Sequence, residues 1–532
     1  MDLLSHRRTW SLLGAAALLL LTLAIACGGG GAARQKRGPL PGPAGRLDPI
    51  YDATILFPDD VVIVGGLEHH GIALDIAITF DDAGLRDGDP RFTAPVGVVG
   101  VTAGGVAQAP VVPRPILLEG TIDGDAFQTD LFGPIQFGTA NLILSLAGAI
   151  APDRRSVAGE AALFGTSSRG TFTAVKRRRY LVAGTDLQTI GEAAVVGVRY
   201  GAQFDLDENL ETTSSDPVAR VEDGRPFVVN RLSFDNLQGL DPARSFLTTF
   251  QYSTGNGSNP HDLVVLPDEK AGLPAPAAGT PSAGVAFVTR YEPPYDDVAL
   301  IDLDDGALLG SIDLVPFALN PDRLPRPDQI LLHGGLLYVT LQDANRSFTQ
   351  FMNGRVAVID PALREVVDVI DLAGQNPFES LVDGPGTGLI YVGLAGIFPG
   401  LRPQALTGGI EAIDPATRRS LGLVVDDDAL GGNVSAVAIV SAERGYAVVT
   451  DATFRNFVKA FDPSTGEVLG SVFETQDRIA ALVSDGDGWL LIADSSFTSP
   501  RLLVLDGQTA QPLASLPLRL PPLSVAILTR SL

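Results

Sequence analysis

Several short apolar segments of this chain open on an oxygen-bearing side chain. Asp216 precedes PVARVE, Asp262 sits in HDLVVLP, Asp328 in DQILLHGG and Glu379 in ESLVDGPGTG; Ser435 and Ser524 take the corresponding place in SAVAIVSAERG and PPLSVAILTRSL, and Asp477 lies close to the column. Asn259 and Asn376, each followed by proline, stand three residues before Asp262 and Glu379, and Asn433 stands similarly before Ser435. Carboxylates and amides converging from several directions are the ligands of a hard cation, so Asp262, Asp328, Glu379, Asn259 and Asn376 are candidate metal ligands, with Ca²⁺ as the candidate cofactor. Like charges held close together are otherwise costly and raise one another's pKa. The plainer reading, and the preferred one, is that these acids are solvated, since Asp and Asn also start strands well.

Other chemistry is sparse. There is no phosphate-binding glycine loop, no G-x-S-x-G elbow and no H-E-x-x-H or paired C-x-x-C motif. Beyond the first 26 residues the histidines are His69, His70, His261 and His333. His69 and His70 are adjacent, so on a strand only one can face a site. His261, beside Asp262, is a candidate proton carrier. The stretch DLDENLETTSSD from Asp205 has oxygen ligands at Asp205, Asp207 and Asn209, but its sixth position is Leu210, where an EF-hand loop needs glycine, and it is discounted. Lys176–Arg179 is a dense basic run that reads either as a phosphate patch or, preferentially, as a solvated strand end.

The elements that must position these residues recur. Six segments (FDNLQGLD, YDDVALIDL, MNGRVAVID, GGIEAIDP, FVKAFDP and RLLVLDG) are apolar runs closed by aspartate at 241, 302, 360, 414, 462 or 506, spaced by 61, 58, 54, 48 and 44 residues. Asp at the end of a strand bonds the backbone two residues on and starts a turn. Each unit reads as four short strands, which is one propeller blade. LLYVTLQD followed by GRVAVIDPALREVVDVIDL resembles the YVTN type of β-propeller repeat over about residues 180–530. That resemblance implies that the strand bearing the acid column is innermost and lines a central channel, placing the acids at its mouth. Residues RRYLVAGTD and AAVVGVRYGAQFDLD look like a further partial unit, and PPLSVAILTRSL like an inner strand with nothing after it; joining them closes the ring. Seven blades are expected over 179–532, with six as the alternative. Residues 47–178 alternate apolar with small or polar residues and are expected to form a smaller N-terminal antiparallel β-domain, a sandwich or partly closed barrel. The fold class is thus all-β.

The only cysteine, Cys27, ends LTLAIAC. Arg7 and Arg8 and about 16 uncharged residues precede it, too few to span a bilayer but right for a signal peptide. LAIAC resembles a bacterial lipoprotein box, which implies cleavage after residue 26 and lipidation of Cys27, with residues 27–46 as a flexible tether. Gly28, in place of aspartate, implies the outer membrane, periplasmic or surface-facing. The formal charge of −24 argues against nucleic acid as a partner.

The expected function is that of a lipid-anchored, extracytoplasmic, non-catalytic binding or assembly scaffold with a protein or cell-envelope partner. Loop residues Tyr291 and Arg346, together with His261, are the candidate ligand contacts. The alternative, implied by similarity to propellers with acid-and-amide channel sites, is a calcium-dependent lactonase-like hydrolase.

Overall fold

The computed structural model describes residues 50–528 apart from 65–66, 80–90, 109, 111, 113–114, 124, 138–139, 152–155, 200–202, 276–281 and 401–402. The segments expected to form a signal peptide and a tether, with Cys27, lie outside the described residues. The described residues divide into two compact units. One holds those up to Tyr180 with Val196–Leu206 and those from Ile527 on; the other holds Leu181–Val195 and Asp207–Ala526.

The N-terminal unit is built on β1 (Ile50–Val64), β2 (Leu67–Thr79), β3 (Arg91–Ala103), β4 (Val106–Gln108), β5 (Ile116–Asp123), β6 (Ala126–Thr129), β7 (Phe132–Phe137), β8 (Ala140–Ile150), β9 (Ser156–Leu163) and β10 (Arg169–Lys176). Pairing runs β2-β1-β10-β9-β8-β6-β5-β3 and returns from β3 to β2, so eight strands close a ring, with β4 on β3 and β7 on β8 as branches. The sheet is barrel-like, and closure removes its edges. Eight strands leave an interior that side chains just fill. The alternation along β10, RGTFTAVK, sends Phe172 and Ala174 inward, where Phe127 lies 6.0 Å from Phe172 and 5.5 Å from Phe92. Arg177, in the basic run, forks onto the buried carboxylate of Asp52, its Nη2 2.6 Å from Oδ1. That side chain is occupied in holding the strand ends, not in offering charge to phosphate.

The other unit is a seven-bladed propeller of four-stranded antiparallel sheets. Blades 2 to 7 open with Pro217–Glu222, Pro260–Leu266, Pro327–His333, Pro377–Asp383, Asn433–Ser441 and Ile479–Ser484, and these strands adjoin one another around a channel. Blade 1 is sewn from both ends of the chain. Pro522–Ile527 pairs with Arg179–Thr185, followed by Gly191–Arg199 and Gln203–Thr213. Residues 205–209 therefore lie in an outer strand and not in a cation loop.

The second strand of each of blades 2 to 7, such as VAFVTR and WLLIAD, is almost wholly buried because a neighbouring blade covers each face. This is why these strands read as continuous apolar runs instead of alternating. The core accordingly sits between blades: Phe287, Val298 and Leu300 of blade 3 pack with Leu337, Val339 and Ile359 of blade 4. Tyrosines of the second strands add a polar tie, Tyr446 Oη donating to the Gly507 carbonyl of the next blade at 2.9 Å.

The recurring aspartates do what their position predicts. Asp360 accepts from the amides of Ala362 and Leu363, Asp462 from those of Ser464 and Thr465, and Asp506 from those of Gln508 and Thr509. The hydroxyl and amide of Ser464 hold the Asp462 carboxyl below its usual pKa, and the amide and hydroxyl of Thr509 do the same for Asp506. Beyond each turn, the outer strand of every one of blades 2 to 7 carries a register shift, as where Leu300 faces Gly310 but Ile301 faces Leu308. In blades 3, 5 and 6 a glycine with positive φ (Gly310, Gly422, Gly470) supplies the bend.

Candidate ligand site at the channel mouth

Five inner strands begin with proline (Pro217, Pro260, Pro327, Pro377 and Pro522), which fixes the start of each strand around the mouth. Measured from that proline, the acids do not form one ring. Asp216 precedes Pro217 by one residue, Asp328 follows Pro327 by one, and Asp262 and Glu379 follow Pro260 and Pro377 by two. Asp216 shares its place just before the proline with Asn259, Arg326 and Asn376, of which the last three have positive φ.

The structure nonetheless gathers most of the named residues. His261 Nδ1 lies 2.7 Å from Asp328 Oδ1, and His261 Nε2 lies 3.2 Å from Asn259 Nδ2. Asn259 Oδ1 accepts from the Leu232 amide at 3.1 Å, which fixes the orientation of its side chain. Asn259 must then donate to His261 Nε2, leaving Nδ1–H to face Asp328. Asp328 is fully buried; Gln342 Nε2 and the Glu379 amide donate to its Oδ2 at 3.2 and 2.9 Å. Burial alone would raise its pKa, but the hydrogen bond and charge of His261, together with the donors of Glu379 and Gln329, hold the carboxyl below its usual value. Tyr291 is buried, stacked on His261 with centroids 4.1 Å apart, and donates to Gln342 Oε1 at 2.7 Å. It is a support for the histidine and not an open loop contact. Arg346 is exposed, and its amide donates to Asp322 at 2.8 Å.

Reading the acids alone misses the cations. Arg220, from the middle of PVARVE, pairs through Nε with Asp262 Oδ1 and donates to the Ala219 carbonyl at 3.0 Å and to Gln329 Oε1 at 3.1 Å. One guanidinium thus joins blades 2, 3 and 4. Arg231 Nη2 donates to Asp216 at 2.7 Å, and Arg478 approaches Glu379 at 3.7 Å. A charged residue inside an otherwise apolar inner strand was the available signal for Arg220. Asn376 donates to the Gly396 carbonyl at 3.0 Å, while its buried Oδ1 has no partner among the described residues. The oxygens of Asp262 and Asp328 are therefore taken by protein donors, and the mouth is a mixed-charge cluster.

Two carboxyls carried on these inner strands have raised pKa values. Burial, with Asp328 and Asp216 nearby, raises Glu379 against the pull of Arg478 and Arg231. Burial, then the charge of Asp262, pushes Glu222 up to about 8 against Arg220. A raised folded-state value means that this contribution to stability is complete below the unfolded pKa of about 4.3 and fades as pH climbs through 8. Glu222→Gln should therefore raise the unfolding temperature relative to the parent at pH 9 and change it little at pH 4, as scanning calorimetry at the two values would read.

Outside the mouth, a cavity of about 300 Å³ is lined by residues that include Gly374, Gln375, Thr407 and Asp427. Asp426, Asp427 and Asp428 cluster there, but Asp426 caps a four-residue helix and Asp427 Oδ2 accepts from the Gly408 amide at 2.9 Å. Burial pushes Asp427 up to about 6.

No family model matches the chain, and no curated protein matches its sequence. Among solved structures, a hydrazine synthase of Kuenenia stuttgartiensis is similar at 15% identity and a TM-score of 0.39, over 64% of this chain and 95% of that one. The periplasmic gluconolactonase of Pseudomonas aeruginosa is similar at 16% identity and 0.43, over 66% and 99%. A functionally unknown protein of Desulfotomaculum acetoxidans is similar at 11% identity and 0.41, also over 66% and 99%.

Proposed function

We propose that the chain is a lipid-anchored, extracytoplasmic propeller that binds a protein or cell-envelope partner without catalysing a reaction. The observation that carries this reading is the pairing at the channel mouth. Asp262, Asp216 and Asp328 each have a cationic or imidazole partner from the same cluster, Arg220, Arg231 and His261, at 2.7 Å or closer. Acids committed in this way hold a surface rigid; they do not offer themselves as ligands or bases. The acidic balance of −24 supports partners other than nucleic acid, and among the described residues no helix is long and apolar enough to cross a membrane.

The anchor rests on LAIAC and its flanks, and Gly28 favours the outer membrane. Expression with an alkyne fatty acid tests it: the parent should carry the label and sediment with membranes, and Cys27→Ala should do neither. An unlabelled parent overturns the anchor. The hydrolase reading has one supporting observation, the orientation of His261 by Asp328 at 2.7 Å. Calcium-dependent turnover of a lactone by the parent, lost in His261→Ala, would replace the scaffold reading.

A further inference from the structure

The ion pairs at the mouth are not alike. Asp216–Arg231 and His261–Asp328 are both at 2.7 Å and Arg220–Asp262 is also close, whereas Glu379 and Arg478 stand 3.7 Å apart with side chains 21% and 45% exposed. Among the described residues nothing donates a hydrogen bond to the Glu379 carboxylate; the one cation within 4 Å of it is this distant guanidinium, with the charge of Arg231 farther off. The Glu379 backbone, by contrast, is over-determined. Its amide is bonded to Asp328 Oδ2, its φ is +49°, and it sits in a register shift where Pro377 faces Leu394 but Leu381 faces Val392. A bulge with a non-glycine residue in the left-handed region re-aims one side chain, and such strain collects at functional positions. Nearby, the Nε of Arg231, itself only 8% exposed, has no partner.

We propose that the mouth takes a small zwitterion of the α-amino-acid kind, its ammonium group on Glu379 and its carboxylate on Arg478. The charges select for both ends together. An anion alone would meet Asp216, Asp328 and Glu379 as well as the guanidinium, and a cation alone would meet Arg231 and Arg478. A molecule whose two charges are close together converts one loose pair into two direct charge-assisted bonds. The planar fork of Arg478 suits a carboxylate, and its exposure lets it move aside. Glu379 favours an ammonium group because that group brings the donors its carboxylate lacks. This names the ligand class of the mouth and rests on the binding reading above.

The test is calorimetric titration of the full-length protein with glycine and L-alanine, with acetate and methylamine as half-molecules. The amino acids should bind and the half-molecules should not at the same concentration. Glu379→Gln and Arg478→Gln should each weaken binding about tenfold or more, the scale of losing a hydrogen bond to a charged group. Arg455→Gln, which breaks an exposed pair with Glu474 elsewhere in the propeller, should leave binding unchanged. No binding of either amino acid, equal binding by both site variants, or equal binding of acetate alone overturns the proposal while leaving the anchored scaffold standing. Mass analysis of the titrated ligand separates the two readings in the other direction. Binding with chemical conversion would support the site and end the non-catalytic reading.

Discussion

Asp297→Ala should cost about 3–5 kcal/mol of stability, the penalty for stranding a buried charge. Arg290 donates to both Asp297 oxygens, at 2.7 and 2.6 Å, and to the Thr254 carbonyl at 2.9 Å, and it lies 4.3 Å from the Tyr295 ring. Both side chains of the pair are under one-tenth exposed. Removing the carboxylate leaves a guanidinium that can neither reach water nor lose its proton. Urea unfolding should show the loss as a fall in midpoint. The double variant Arg290→Met, Asp297→Leu should recover most of it, because replacing a whole buried pair by apolar residues is far less damaging than halving it. A single variant as stable as the parent would mean that water reaches Arg290.

Removing residues 522–532 should have the second large effect. Pro522–Ile527 is the inner strand of blade 1, and it is tied to blade 2 by Ser524 Oγ accepting from the Ala219 amide at 2.7 Å. Without it, Arg179–Thr185, buried along nearly its whole length, becomes an open apolar edge. The truncated chain should run as larger oligomers or aggregates than the parent on size exclusion and melt at a lower temperature. Adding back a peptide of the deleted strand should restore the monomer. A truncated chain that stays monomeric with an unchanged melt would show that the ring does not depend on this closure.

Much of this architecture can be read in the residues. Aspartates at 241 to 506 mark the turns because the Asx bond is local, made to amides two or three residues on. The lone inner strand at the C-terminus, with an incomplete unit beginning near Tyr180, favours seven blades over six, and seven is the number found. The N-terminal alternation tells strands from helices but not a sandwich from a closed ring, since closure depends on the β2–β3 pairing. The site is harder to read for the same reason. His261 and Asp328 are 67 residues apart, Arg220 and Asp262 42 apart, and each pair exists only because adjacent blades meet at the channel. A strand's pattern also hides offsets of one or two residues. Those offsets let Asp216, Asp262 and Asp328 look equivalent when their distances from the strand-starting proline differ. Tyr291 looked like a loop residue because nothing local shows that it stacks on His261.

The kinked outer strands carry a consequence for crowding. A sheet with a straight, unpaired rim can be extended by any neighbour that offers a matching row of amides and carbonyls, and copies held on one surface would meet often enough to zip together. Here the rim of each of blades 2 to 7 is interrupted by an extra residue, so on those six blades a second copy finds no unbroken row to copy. Molecules packed side by side would slide past one another as separate particles, leaving the two loop-bearing faces for selective contact.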